Sequence, residues 1–237
     1  MSEPEADRLL GRTDEVARLV PLLTGERPVG VVGEAGIGKT TLVRAAALAA
    51  GRALREGGGF ATLSWMPYLP LRRAVDGLGM GDPAEVAALV EERVGPDLLF
   101  VDDLQWADRD TRAVVELLGD RVGLVAAIRD GDPGTADAIA LLTGIGGEIV
   151  RLGGLDGVAA AAVARRMRPS LTEREVRDVV ERAGGNPLLI EELSLRGRGS
   201  TSLTRAIASQ LEALDGEERE LVELRRDEAR RRNRGEE

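Results

Sequence analysis

The sequence predicts an α/β fold: a parallel β-sheet with helices on both faces, followed by a smaller all-helical part. Three observations predict it. From residue 13 to residue 152, short runs of branched apolar residues alternate with amphipathic helical stretches, the pattern of strand–helix–strand units whose strands are buried on both faces. The first of these strands runs directly into a glycine-rich turn that opens a helix. From Asp156 onward the alternation stops, and only helical patterns remain.

Residues 1–8 read as a loose arm. Val16, Leu19, Val20 and Leu23 share one face of a helix over Thr13–Leu23, with Thr13 as its cap, and Gly25 to Pro28 end it. Val29-Gly30-Val31-Val32 is the first strand, and after the glycine turn Thr41–Ala50 is a strong helix former. Gly57-Gly58-Gly59 reads as a break and Phe60–Trp65 as the second strand. Trp65–Leu71 reads as a turn which, with Phe60, holds three of the five aromatics. It is open to two readings, a cover on the glycine-turn side of the sheet or a small surface cluster packing a helix.

Asp82-Pro83-Ala84-Glu85 starts a helix with a cap, a first-position Pro and an acid behind it. That helix runs to about Val94 and stops at Gly95-Pro96. Leu98–Val101 is the third strand, a helix opens at Asp108 or Arg109 and runs to Leu118, and Gly123–Ile128 is the fourth strand, ending at Arg129-Asp130. A helix over about Thr135–Thr143 leads to a fifth strand, Glu148–Leu152. Gly157–Arg168 is an Ala-rich helix, Thr172 and Glu175 form a capping box for a helix to about Ala183, Gly184–Pro187 is a turn, and Pro187–Leu195 and Leu203–Leu214 are two further helices. The predicted organisation is an arm (1–8), an α/β core (9–152), a helical subdomain (153–215) and a charged tail (216–237).

Composition narrows the chemistry. In 237 residues 43% are hydrophobic but only 2% aromatic, so the core is built of Leu, Val, Ala and Ile. There is no Cys, hence no disulfide framework and no thiolate metal site. There is no His, which removes the usual general base and the Ser-His-Asp triad. A net charge of −9 argues against direct nucleic-acid binding. No apolar run reaches 18 residues and the N-terminus is acidic, so neither a membrane span nor a signal peptide is expected, and the expected location is cytoplasmic.

Gly33-Glu34-Ala35-Gly36-Ile37-Gly38-Lys39-Thr40 fits the phosphate-loop pattern GxxxxGK[ST] at every fixed position, and Thr41 follows it. Such glycines let the backbone curl its N–H groups around phosphate oxygens, and the following helix aims its positive end at the same point. Lys39 would reach the β- and γ-phosphates, and the Thr40 hydroxyl would ligate Mg²⁺. A charge pair near 4 Å is worth ~4 kcal/mol at an effective dielectric of 20, against ~0.3–1 kcal/mol for a helix terminus, so Lys39 carries most of the affinity. The chain has 32 Lys and Arg together, and Lys39 is its single Lys. A compact ammonium on a thin stem serves here where a flat guanidinium does not.

The strand before Asp102-Asp103 is expected beside the loop strand. Asp102 would hold Mg²⁺ and Asp103 would activate water, because without His a carboxylate is the ordinary candidate for the base. Arg129 ends the fourth strand, at the edge where open α/β sheets bind ligands. It is either a sensor of the γ-phosphate or an ordinary surface Arg. Asn186-Pro187 is either a turn or a contact to the nucleotide base or ribose.

Taken together, these runs resemble the signal-transduction ATPases with numerous domains (STAND), of the AAA+ class, and in particular the ATPase module of large LuxR-type regulators and origin-recognition-like AAA domains. The likeness is carried by Leu9-Leu10-Gly11-Arg12 with Glu15, the Gly33–Thr41 loop and Tyr68-Leu69-Pro70-Leu71. It continues through Leu99-Phe100-Val101-Asp102-Asp103-Leu104-Gln105-Trp106-Ala107-Asp108, the strand ending in Arg129 and Gly185–Leu193. It implies strand order 5-1-4-3-2, a helical lid, adenine contacts from Leu10, Gly11 and Arg12, a sensor role for Arg129 and a Gly-Asn-Pro turn near the nucleotide. It also implies an ADP/ATP switch with Mg²⁺ and nucleotide-dependent self-association. Family members usually continue into a winged-helix domain, sensor repeats and a DNA-binding helix-turn-helix. The winged-helix His that clamps ADP has no counterpart here. The functional expectation is a slow ATPase switch; the alternative is a nucleotide-dependent protein-interaction module with little hydrolysis.

Overall fold

The apolar runs of the first, third and fourth strands have no polar side chain to turn toward water, so both of their faces are covered. The structure, a computed structural model, describes residues 10–195. The predicted arm, the helix Leu203–Leu214 and the charged tail lie outside the described residues. The chain divides into a compact unit that ends at Ser194 and a second unit, Leu195–Glu237.

Within the first unit, five parallel strands form one sheet: β1 (Val29–Gly33), β2 (Leu54–Gly58), β3 (Leu98–Asp102), β4 (Gly123–Arg129) and β5 (Glu148–Arg151), in the order β2-β3-β4-β1-β5. This is the predicted 5-1-4-3-2 order read from the other edge. The expectation that the acidic strand lies beside the loop strand is corrected, because β4 stands between them. Burial accounts for the placement. Strands β1, β3 and β4 are almost wholly buried, whereas β2 and β5 carry Arg, Glu and half-exposed positions that only a sheet edge tolerates.

Alternation along the strands divides the core. Val29, Val31, Leu98, Phe100, Val125, Ala127 and Val150 face α1 (Thr13–Leu23) and α2 (Lys39–Ala49). Val32, Leu99, Val101, Leu124, Ala126 and Ile128 face α3 (Leu69–Ala74), α4 (Pro83–Val94), α5 (Arg109–Leu118) and α6 (Thr135–Gly144). The helices α7 (Gly157–Met167), α8 (Glu173–Ala183) and α9 (Pro187–Leu195) enclose a third apolar cluster around Ala160, Ala164 and Ile190.

Three local expectations are corrected. The second strand is Leu54–Gly58, and Ala61–Leu63 within the expected strand is a 3₁₀ turn. Gly57 is strand rather than break because α3 crosses it so closely that a Cβ there would lie 1.8 Å from the Pro70 carbonyl oxygen. The stretch Trp65–Leu71 is not a surface cluster: Met66, Tyr68, Leu69 and Leu71 are buried, and α3 begins inside it. The buried Asp108 carboxylate staples it, accepting from the Tyr68 amide (3.1 Å) while its other oxygen caps α5 through the amides of Asp110 and Thr111. Thr13 does not cap α1. Arg12 occupies the cap position and no side chain bonds there. The Asp82 cap and the Thr172–Glu175 capping box form as expected.

Candidate functional site

Parallel strands bring their carboxyl ends to one edge, so Gly33, Asp102 and Arg129 emerge side by side, with Gly33 in register with Arg129. The glycine loop leaves β1 there and turns into α2. Gly36 and Gly38 have positive φ (73° and 99°), and nothing lies within 4 Å of the Cβ position at Gly38. The loop therefore presents bare backbone and the α2 N-terminus to the space above the sheet edge.

Lys39 is only 7% exposed, and its ammonium donates to the carbonyls of Gly33 and Glu34, each at 2.9 Å. Burial lowers its pKa from the ordinary value, opposed by the nearby Asp103 and Asp102 carboxylates. Thr40 Oγ1 donates to Asp102 Oδ2 at 2.6 Å, and the Asp103 amide donates to Asp102 Oδ1 at 3.0 Å. Burial raises the Asp102 pKa, against the pull of the Thr40 hydrogen bond.

Asp103 takes the left-handed conformation (φ 50°), which swings it off the line of β3. Its Oδ2 accepts from the Arg129 guanidinium at 3.1 Å and its Oδ1 from Gln105 Nε2 at 3.0 Å. Arg129 also lies 3.6 Å from Asp132, so its charge is shared between two carboxylates. Arg129 is thus tied into the acidic site and is not a free surface side chain.

A cavity of about 700 Å³ opens over this edge. The core lines it with Gly36, Gly38, Lys39, Thr40, Thr41, Asp102, Asp103 and Arg129, and the helical part with Arg166, Met167, Pro187, Leu188 and Glu191. Gly33, Glu34, Ala35 and Ile37 are in the loop but not in this lining. Asn186 lies behind the loop, 7% exposed. Its Nδ2 donates to the Ala35 carbonyl (2.9 Å) and its Oδ1 accepts from the Leu188 amide, capping α9. The Leu188 amide also reaches the Gly36 carbonyl (3.4 Å), and a Cβ on Gly36 would lie 2.6 Å from Leu188 Cβ.

Leu10, Gly11 and Arg12 do not line the cavity. Leu10 packs on the helical cluster, and Gly11 lies so close to α7 that a Cβ would fall 2.2 Å from Ala159 Cβ. The Arg12 guanidinium donates to the Ile37 carbonyl (3.2 Å), the Gly153 carbonyl (2.7 Å) and Glu15 (2.6 Å), bracing the loop from behind. Sequence reasoning assigned no role to Arg166, Glu191 or Gln105. The first two reach the cavity only through helix packing. Gln105 is 2% exposed, and a Gln between a strand and a helix cap carries no signal of its own.

One carboxylate and one hydroxyl are hard oxygen donors, the set suited to a Mg²⁺ ion that keeps most of its ligands as water and phosphate. Among the described residues there is no group of three or more acidic side chains that would hold a metal unaided. Nor is any described helix long and apolar enough to cross a membrane.

No family model and no curated protein matches the chain. Solved structures do. The Thermotoga maritima RuvB Holliday-junction branch-migration motor superimposes with a TM-score of 0.53 at 16% identity, over 81% of this chain and 64% of that one. A DNA replication initiation factor does so with 0.50 at 17% identity, over 85% and 66%. A looser match (0.49, 22% identity, 89% and 33%) is a STAND protein with a tetratricopeptide repeat sensor from Pyrococcus horikoshii. The chain spans less than two thirds of the RuvB chain's length. The parallel sheet in the order 2-3-4-1-5, with the glycine loop after its first strand, is the fold of AAA+ P-loop ATPases.

Proposed function

We propose that the chain binds ATP and ADP with Mg²⁺ in this cavity and hydrolyses ATP slowly, as a nucleotide-dependent switch. The observation that carries the reading is the 2.6 Å contact between Thr40 and Asp102. The hydroxyl comes from the helix after the loop and the carboxylate from a strand two places away, and they converge where a loop-bound phosphate would share a cation. Gly33–Thr41 would cradle the phosphates with backbone amides, and Lys39 would exchange its two carbonyl partners for phosphate oxygens. Mg²⁺ when bound supplies charge neutralisation on the phosphate oxygens. Thr40 and Asp102 would hold it, Asp103 would accept the proton of the attacking water, and Arg129 would turn from Asp103 toward the γ-phosphate. Asn186 and Pro187 would carry the state of the loop to α9. The adenine contact implied for Leu10, Gly11 and Arg12 belongs to the resemblance; the bonds of Arg12 support a bracing role.

Calorimetry with Mg-ATP tests the site. Lys39→Ala is expected to lose measurable binding, and normal affinity would overturn the loop assignment. Asp103→Asn is expected to keep binding and lose ~10²–10⁴ in turnover. Turnover unchanged in that variant removes Asp103 from the role of base.

A second reading, a nucleotide-dependent protein-interaction module with little hydrolysis, is favoured by one observation. Both Asp103 oxygens accept hydrogen bonds, from Arg129 and Gln105. No phosphate release alongside nucleotide-dependent shifts on a sizing column would select it. A role in signal transduction, self-association and kinship with LuxR-type regulators rest on the sequence runs alone.

A further inference from the structure

Between the ends of β3 and β4 lies a side chain that the ATPase reading leaves unused. The ladder pairing of β3 with β4 stops at Val101 and Ala126, because the chain turns away at Asp103. Beyond it, the buried Gln105 amide spans the two strand ends. Its Nε2 donates to Asp103 Oδ1 (3.0 Å), and its Oε1 accepts from the Arg129 backbone amide (3.0 Å). The orientation of the amide is determined by its neighbours, since a carboxylate demands the NH₂ and an N–H demands the oxygen. Among the ordinary side chains of this reach, an ionised carboxylate cannot donate and an ammonium cannot accept, so Gln meets both needs without adding charge.

We propose that Gln105 is a positioning residue for hydrolysis: it holds the Asp103 carboxylate in the cavity while Arg129 is free to move. The inference rests on the ATPase reading. Asp103 has two side-chain donors, and Arg129 is the one with a second acidic partner, Asp132, and a place in the cavity lining. When Arg129 turns to a phosphate, Gln105 remains as the donor that keeps Asp103 aimed. Because Gln105 does not line the cavity, its loss acts on turnover and not on nucleotide binding.

The test combines Gln105→Ala, Gln105→Glu and Asp103→Asn in the full chain. Gln105→Ala is expected to lower kcat about 10- to 100-fold, with KM and the calorimetric Kd for Mg-ATP within about twofold of wild type. Gln105→Glu retains an acceptor for Arg129 but places a carboxylate against Asp103, and is expected to be at least as slow. In the Asp103→Asn background, Gln105→Ala should add no further loss, the signature of residues acting as one unit. A purely structural tie predicts instead weakened nucleotide affinity and additive losses, and that result overturns the proposal. A readout independent of turnover is the Asp103 carboxyl carbon resonance with a non-hydrolysable ATP analogue bound, expected to shift in Gln105→Ala. If Asp103→Asn is slow while both Gln105 variants match wild type, the positioning role falls and the ATPase reading stands. If wild type releases no phosphate, the ATPase reading falls, and with it the positioning role; an unmoved Asp103 resonance would also refute the contact itself.

Discussion

Burial holds the Asp102 carboxyl above its ordinary value of 3.8, although Thr40 and the Asp103 amide both donate to it. A raised folded-state value means that the fold disfavours the ionised form. The cost is absent below the ordinary value and develops as pH rises through the raised one. A bound cation removes it. Asp102→Asn is therefore expected to raise the melting temperature without nucleotide by an amount that grows as pH rises through the raised value, and to abolish the extra stabilisation that Mg-ATP gives over ATP alone. Thermal unfolding with and without Mg²⁺ measures both, and a lower melting temperature without ligand would contradict the first. Lys39 carries the same tension with opposite charge: burial disfavours its ammonium and lowers its pKa, and the Asp103 and Asp102 carboxylates oppose that.

Among the elements, β2 and the short helix α3 that packs on it were the ones the sequence concealed. Leu54-Arg55-Glu56-Gly57-Gly58 has no apolar run, and two glycines in five residues read as a break. Gly57 is there because α3 lies against it. Gly57→Ala is expected to cost about 1–3 kcal/mol by overpacking against the Pro70 carbonyl, read as a lower denaturant midpoint. A midpoint equal to wild type would mean that α3 stands off the strand.

The capping box of α8, by contrast, is legible as a four-residue pattern. Hydrogen bonds from the Thr172 amide and hydroxyl hold the Glu175 pKa below its ordinary 4.5. A depressed value contributes stability that is present above 4.5 and lost as pH falls through the depressed one. Glu175→Gln should narrow the difference in melting temperature between pH 7 and pH 3, and an unchanged difference would refute the linkage.

At the scale of the whole described unit, the helices α7–α9 and the sheet meet at the phosphate loop through Asn186 and Leu188. Asn186 serves both sides at once, capping α9 with its oxygen and holding Ala35 with its amide nitrogen. Asn186→Ala is expected to lose about 1 kcal/mol from the cap, to weaken Mg-ATP binding, and to speed proteolytic cleavage near Gly184-Gly185. Cleavage and affinity both unchanged would show that the loop and α9 hold without it.

The sequence by itself determined what short range decides: the alternating strands and helices, the caps at Asp82 and Thr172, the phosphate loop, and the two acids ending β3. Each is written in contiguous residues of chain, four for a capping box and eight for the loop, because helix periodicity, capping and tight turns are interactions of near neighbours. Only the tertiary structure decided which acid meets which partner. Thr40 and Asp102 are 62 positions apart, and they touch because β4 separates β3 from β1 by one strand's width while α2 crosses above. The pairing of Asp103 with Arg129, the bridging amide of Gln105, and Arg12 behind the loop arise in the same way. Strand order is settled by competition among whole apolar surfaces for the buried centre of the sheet, and no local pattern around any one of these residues encodes the outcome.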